Sequence, residues 1–186
     1  MQYEGVNLRR LNGYPHPCFI LSAEQILSRI DELSDVLEQC VNDGASVSFM
    51  LPFNRDKSRP FWTRVAQSVS CGERIVLGAE NAQGTLVGTV QLIIDQPENQ
   101  PHRADVAKLL VHTSARRCGI ARELMNTLEI CAHHEGKTLL VLDTSTGSAA
   151  ELFYHNCGWQ KAGVIPDYAK MPDGTVAGTT LFYKTL

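Results

Sequence analysis

Apolar residues recur along this chain at two different periods. From residue 22 the spacing is helical. Ile26, Ile30, Leu33, Leu37 and Val41 fall on one face, entered through a capping box of Ser22 and Gln25 and stopped by Gly44. A second helical stretch carries Phe61, Val65 and Val69, and Ser58 with Pro60 predicts its start, with an end near Gly72. From Arg74 the pattern turns to strands. Residues 74–80 and 85–95 read as a hairpin around Asn81-Ala82-Gln83-Gly84. A polar loop over 96–103 leads to a strand at 104–111, whose apolar run from Val106 to Val111 is broken only by Lys108. Helical spacing returns with Ile120, Leu124, Leu128 and Cys131, running to about Gly136. Thr138–Leu142 is continuously apolar, as a strand buried on both faces would be. Ser148 predicts the cap of a short helix over 149–157. Residues 160–165 and 179–184 read as the last strands, with 166–178 a loop turned at Pro172-Asp173-Gly174. Near the N-terminus, Glu4–Leu11 reads as an opening strand and Tyr14–Phe19 as a loop. Residues 44–50 read as an extended segment or a substrate loop.

This order predicts one α/β domain over residues 1–186, with a mixed sheet of about seven strands flanked by about four helices. The strand-helix-strand unit from 104 to 142 is long enough for a parallel, right-handed crossover. No repeat, low-complexity tract or linker divides the chain. A net charge of -3 gives no basic field of the kind that nucleic acid binders present. No apolar run approaches a membrane span, and the first residues show no signal pattern. The expectation is a cytoplasmic protein, monomer or homodimer, with neither nucleic acid nor membrane as partner. The cysteines (Cys18, Cys40, Cys71, Cys118, Cys131 and Cys157) have no C-x-x-C spacing and no zinc-finger geometry, so free thiols and no metal are expected.

The chemistry concentrates between Val111 and Arg122, V-H-T-S-A-R-R-C-G-I-A-R. A strand ends here and a helix begins. A helix N-terminus offers unpaired N–H groups and the positive end of the dipole. Gly119 lets backbone approach a ligand, and Arg116 and Arg117 add charge. Together they predict a site for a phosphate or pyrophosphate. The Walker pattern and G-x-G-x-x-G after a strand are both absent.

What is present, R-x-x-G-x-A from Arg116 to Ala121, resembles the coenzyme A pyrophosphate loop of the GCN5-related N-acetyltransferases (GNAT), Q/R-x-x-G-x-G/A. Downstream, Ala150, Phe153-Tyr154 and Gly158-Trp159 are similar to that family's A-x-x-L-Y-x-x-x-G-F block, in the right order. One departure is Gly147, where members often carry an Asn that touches the cofactor arm. Residues 44–50, Leu142-Asp143-Thr144, Pro166-x-Tyr168, Pro172-Asp173-Gly174 and Phe182–Leu186 further resemble the tabtoxin-resistance branch, which acetylates a small β-lactam amino-acid toxin.

The resemblance implies an acetyl-CoA-dependent N-acetyltransferase acting by direct attack on a small-molecule amine. Residues 104–159 would form the cofactor and catalytic core, and the helices of 22–72 the substrate side. It implies cofactor contacts from Arg116, Arg117, Cys118, Gly119, Ile120, Ala121 and Arg122. A bulge in the central strand would free backbone groups of Leu110 and Val111 for the pantetheine arm. It makes Tyr154 the acid for the departing thiolate; a phenol near pKa ~10 is roughly matched to a thiol near ~8.5. Asp143, at the carboxyl end of its strand, and Asp105, near the start of the central one, are candidate bases. His112 and His155 are rival bases, and Cys118 is a covalent alternative that direct attack disfavours. A catalytically silent coenzyme A-binding module is the competing reading.

Overall fold

The computed structural model describes residues 17–186. The strand expected at Glu4–Leu11, and residues 14–16 of the expected loop, lie outside them. The remainder of that loop is a strand, because Cys18 and Phe19 are apolar and pair along a neighbouring edge. Strand β1 (Cys18–Leu21) opens the described chain, followed by helices α1 (Ala23–Ser28), α2 (Ile30–Asn42) and α3 (Arg55–Ser70). Then come β2 (Arg74–Glu80), β3 (Leu86–Ile93), β4 (Arg103–Val111), α4 (Ile120–His134), β5 (Leu139–Ser145), α5 (Ala149–Asn156), β6 (Gln160–Lys170) and β7 (Val176–Thr185). Seven strands form one sheet in the order β1-β2-β3-β4-β5-β7-β6. Only β4 and β5 run parallel, joined through α4.

Each face of the sheet has its own core. On one, α4 lays Ile120, Leu124, Leu128 and Cys131 against Ala104, Val106, Val90 and Leu140, the stripe its periodicity predicts. On the other, α1 to α3 pack Ile26, Leu33, Leu37 and the fully buried Trp62 over Leu21, Val76, Leu86 and Leu110. Gly88 sets how closely α4 approaches. A Cβ there would meet Ile120 Cγ2 at 2.9 Å and Leu124 Cδ1 at 3.2 Å.

Three expectations change in detail. The helix from Ser22 keeps its capping box, with Gln25 N–H donating to Ser22 Oγ at 3.1 Å and Ser22 N–H to Gln25 Oε1 at 2.8 Å. It breaks at Arg29, however, so the sheet is flanked by five helices rather than four. The Arg29 guanidinium turns to the β2–β3 hairpin, donating to Glu32, Glu80 and the Gly84 carbonyl, while Leu86 N–H donates to Glu32 Oε2 at 2.7 Å. Helix α3 begins at Arg55, not at Ser58. Its polar first turn reaches α2, Arg55 to Asp31, Asp35 and Glu38 and Arg59 to Asp31, and Pro60 sits inside with an exposed ring. The loop expected over 166–178 is mostly strand. A register shift between Ile165 and Ala169, with Asp167 at φ 53°, takes Pro166 out of the ladder, and only a tight turn joins β6 to β7. There Met171 N–H donates to the Thr175 carbonyl at 2.7 Å.

The close seat of α4 is testable. Gly88→Val overfills the α4–β3 contact and is expected to lower stability by about 1–3 kcal/mol, read from urea unfolding. An unchanged midpoint would contradict the packing.

Candidate active site

The site begins where β4 stops pairing with β5. That ladder covers only Arg103↔Leu139, Ala104↔Leu140 and Asp105↔Val141. Beyond it β5 stays bound to β7 along its whole length, while β4 stays bound to β3. The two parallel strands therefore part, leaving one backbone edge of residues 106–111 outside any ladder. Within that stretch the β3–β4 register shifts between Thr89 and Gln91, so Val90 faces two residues, Lys108 and Leu109. Lys108 takes φ 55° to make the bulge. The central strand is thus bulged, as the sequence resemblance implied.

Beyond the bulge, β4 runs into the loop that Arg116 and Gly119 mark. His112 caps a turn of 3-10 helix at Thr113–Ala115, accepting from Ser114 N–H at 3.2 Å. Arg117 at φ 62° and Gly119 at φ 85° then curl the backbone into the start of α4. Alternating signs of φ aim successive N–H groups to one side, the concave nest that binds anions. Nothing lies within 4 Å of where a Gly119 Cβ would be. Val111, Ala115, Arg116, Arg117, Gly119 and Ile120 to Arg122, with Phe153 of α5, line a cavity of about 300 Å³.

The arginines divide their work. Arg116 lines the cavity but commits its guanidinium elsewhere, pairing through Nη1 with Asp43 beyond the end of α2 and through Nε, at 3.4 Å, with the Val111 carbonyl. It locks the loop to the helical layer. Arg117 and Arg122 make no ion pair with any described residue and face the cavity as uncommitted cations. Cys118 is exposed, its thiol turned to the Arg116 carbonyl at 3.5 Å, and does not line the cavity. Leu110 is buried among the α1–α3 residues, so only its backbone is available to a ligand.

Tyr154 belongs to the α4 core, whereas Asp143 lies on the other face of the sheet, near enough for the phenol to feel its charge. Tyr154 is buried, its ring against Phe153, Trp159 and Phe182, and its hydroxyl bonds to no described residue. Burial pushes the phenol above its ordinary pKa, with added push from the nearby Cys157 and Asp143 charges, so it stays protonated throughout the neutral range. Asp143 is exposed on β5, on the face opposite the buried Leu140 and Leu142. Thr179 Oγ1 donates to its Oδ2 at 2.7 Å. Asp105 is bound differently. Its carboxylate is occupied at both oxygens, by Arg103 Nη1 at 2.6 Å and Gln96 Nε2 at 3.0 Å. The His112 ring is held by Ser114 at 2.7 Å and Asp35 at 3.3 Å, and His155 is exposed on α5. Gly147 offers no side chain. At φ 78°, its N–H donates to Glu151 Oε2 at 2.6 Å.

Residues 72–161 match the family model of the acetyltransferase (GNAT) domain. That stretch runs from just after α3 into β6 and takes in the nest, the parted strands and Tyr154. The whole described fold agrees, in solved structures of low sequence identity. A GCN5-related N-acetyltransferase from Kribbella flavida superposes with TM-score 0.75 at 17% identity, covering 92% of this chain and 98% of its own. The ribosomal-protein-alanine N-acetyltransferase of Brucella melitensis gives 0.73 at 20%, covering 91% and 99%. The acetyltransferase yncA from Salmonella typhimurium, solved with its cofactor acetyl-CoA, gives 0.74 at 16%, covering 92% and 94%. Acetyl-CoA is the cofactor of GNAT acetyltransferases. The residues here suit it: an open nest over Gly119 with unpaired arginines for the pyrophosphate, and a parted strand edge for an amide-bearing arm.

Beside these residues, the matched stretch holds a polar group that sequence patterning passed over. Arg74, Thr89, Gln91 and Lys108 gather on the α1–α3 face of the sheet. Their only sequence signal is that Gln91 and Lys108 interrupt otherwise apolar strands.

The nest predicts a pair of variants at Gly119. Ala and Glu both meet the left-handed backbone, at a common cost of about 1–2 kcal/mol in stability; only Glu adds negative charge. The Kd for acetyl-CoA is expected to rise more than tenfold further in Gly119→Glu than in Gly119→Ala, read by calorimetric titration. Equal affinities would remove the anion site.

Proposed function

We propose that this protein is an acetyl-CoA-dependent N-acetyltransferase acting on the amine of a small, amino-acid-like molecule, of the β-lactam toxin kind that the tabtoxin-resistance likeness suggests. The observation that carries the reading is the parting of β4 from β5 beside a left-handed loop lined with unpaired arginines. Such a gap gives up ladder hydrogen bonds, and it lies next to the anion nest along the chain.

The roles divide as follows. The N–H groups of Arg117, Gly119 and Ala121, with the Arg117 and Arg122 side chains, would hold the pyrophosphate. The freed backbone edge at Leu110 and Val111 would hold the arm, and an N–H there is placed to stabilise developing oxyanion charge. Bound acetyl-CoA supplies an acetyl group activated as a thioester. Asp143 holds the acceptor ammonium and takes its proton at the carboxylate, since its Oδ1 has no partner among the described residues, whereas both oxygens of Asp105 are engaged. Asp105 is assigned to positioning the start of β4. Tyr154 Oη gives its proton to the sulfur. Its raised pKa does not oppose this, because the same burial that penalises a phenolate penalises a thiolate beside it. Helices α1 to α3 wall the acceptor side.

Two measurements test the proposal. Acetyl-CoA binding to the native state only must raise the melting temperature with concentration. A shift with acetyl-CoA but not with NAD or ATP is expected, and none at millimolar acetyl-CoA would sink the reading. Tyr154→Phe should lower kcat by about 10²- to 10⁴-fold with cofactor affinity little changed. Asp143→Asn should instead raise the acceptor KM and steepen the loss of rate at low pH, where more amine is protonated. Parent-like kcat in Tyr154→Phe would leave solvent as the acid.

A further inference from the structure

Lys108 is the least comfortable residue of the sheet. It is a non-glycine residue at φ 55°, a backbone that costs an L side chain about 1–2 kcal/mol. It sits at the bulge of the central strand, half-buried. Gly or Asn would make the same bulge with less strain, so the backbone alone does not call for lysine here.

The bulge also decides where that side chain goes. On β4, Ala104 and Val106 belong to the α4 core, so Asp105 and Ala107 face the other way. The extra residue breaks alternation and puts Lys108 on the same face as Ala107. There its Nζ donates to Ser48 Oγ, in the loop between α2 and α3, at 3.3 Å. That is its single hydrogen bond, and no carboxylate of the described residues stands within ion-pair distance. Burial pushes its ammonium below the usual lysine pKa, Arg74 adds to this, and the Asp143 charge opposes it.

The floor beside Lys108 is rich in unused donors. Arg74 Nη1 donates to Gln91 Oε1 at 2.8 Å. An arginine can only donate, so this bond fixes the amide orientation and makes Gln91 Nε2 a donor on its other side. Gln91 is fully buried, yet Nε2 has no partner among the described residues, and neither has Thr89 Oγ1 on the same strand face. A buried donor without an acceptor costs about 1–3 kcal/mol, and with both atoms closed to solvent a ligand oxygen would meet them only once the side chains over them move aside. Across the gap, Asp143 stands on this same face of β5 with one oxygen open. The 44–54 loop that meets Lys108 through Ser48 also meets the tip of the β6–β7 hairpin, where Leu51 N–H donates to the Pro172 carbonyl at 3.0 Å.

We propose that Lys108, backed by Gln91, binds a carboxylate of the acetyl acceptor while Asp143 takes its amine, so that the substrate must carry both groups. This rests on the acetyltransferase reading and narrows it. The acceptor is a free amino acid or a compound with that pair of charges, not a simple amine. No ion pair joins this cation and carboxylate, although each feels the other's charge. Each is left for a ligand that bridges them.

The test is binding and turnover of paired probes with acetyl-CoA saturating: lysine with cadaverine, ornithine with putrescine, phenylalanine with phenethylamine, and the remaining common amino acids with their carboxamides. Probes bearing the carboxylate should bind and react at lower concentration than their partners. In Lys108→Met, which keeps the stem and the backbone strain, their KM should rise about ten- to hundredfold, as for a lost charged hydrogen bond. Lys108→Arg should recover part of it, and thermal stabilisation by acetyl-CoA should be unchanged in both. The inference is overturned by equal use of acids and amides, by a Lys108→Met enzyme with parent-like KM, or by a panel with no acid-bearing binder. A protein that acetyl-CoA fails to stabilise would instead refute the parent reading.

Discussion

The site depends on one interrupted ladder. A parallel pair of strands joined by a packed helix would ordinarily stay bonded along their common length. Here β4 and β5 hold together for three residue pairs and then part. Each is committed elsewhere: β5 to β7 throughout, and β4 to β3 through a bulge that adds a residue and turns the strand. The parted edge leaves backbone donors and acceptors without strand partners. In a folded protein such groups are met by water or by a ligand. The two cores, one under α4 and one under α1 to α3, keep the gap from closing, because both faces of the sheet are already packed.

Charge is distributed around that gap by contact rather than by composition. With a net charge of only -3, no general field would draw in an anionic cofactor. Local commitment does the sorting. Arg116 is neutralised by Asp43 and serves as a strut, whereas Arg117 and Arg122 are left unpaired at the cavity. Likewise Arg103 and Gln96 occupy Asp105, whereas Asp143 keeps an open oxygen. Identical side-chain types in one site therefore have different chemistry.

Much of this was legible in the chain. The stripe on α4, the capping box at Ser22, the β2–β3 hairpin and the helix N-terminus at Gly119 are local, and period or turn chemistry encodes them directly. Contact decides the rest. The break at Arg29 exists because its guanidinium finds Glu80 and Gly84, which sequence spacing cannot announce. The length of β6 depends on a bulge that hides Pro166 from the ladder. The different tasks of Arg116 and Arg117 follow from Asp43, far away in sequence. Lys108 was visible as a polar break in an apolar run, but its side is set by the bulge it creates, and strict alternation would place it wrongly.

The central claim is that the parted edge of β4 and the left-handed loop are a cofactor surface. Amide hydrogen exchange with and without acetyl-CoA tests it most directly, since it reads those backbone groups residue by residue. The account predicts slowed exchange concentrated at residues 106–111 and 117–122, with β6 and the β2–β3 turn unaffected. Exchange unchanged in those two segments, or protection confined to other parts of the sheet, would contradict it.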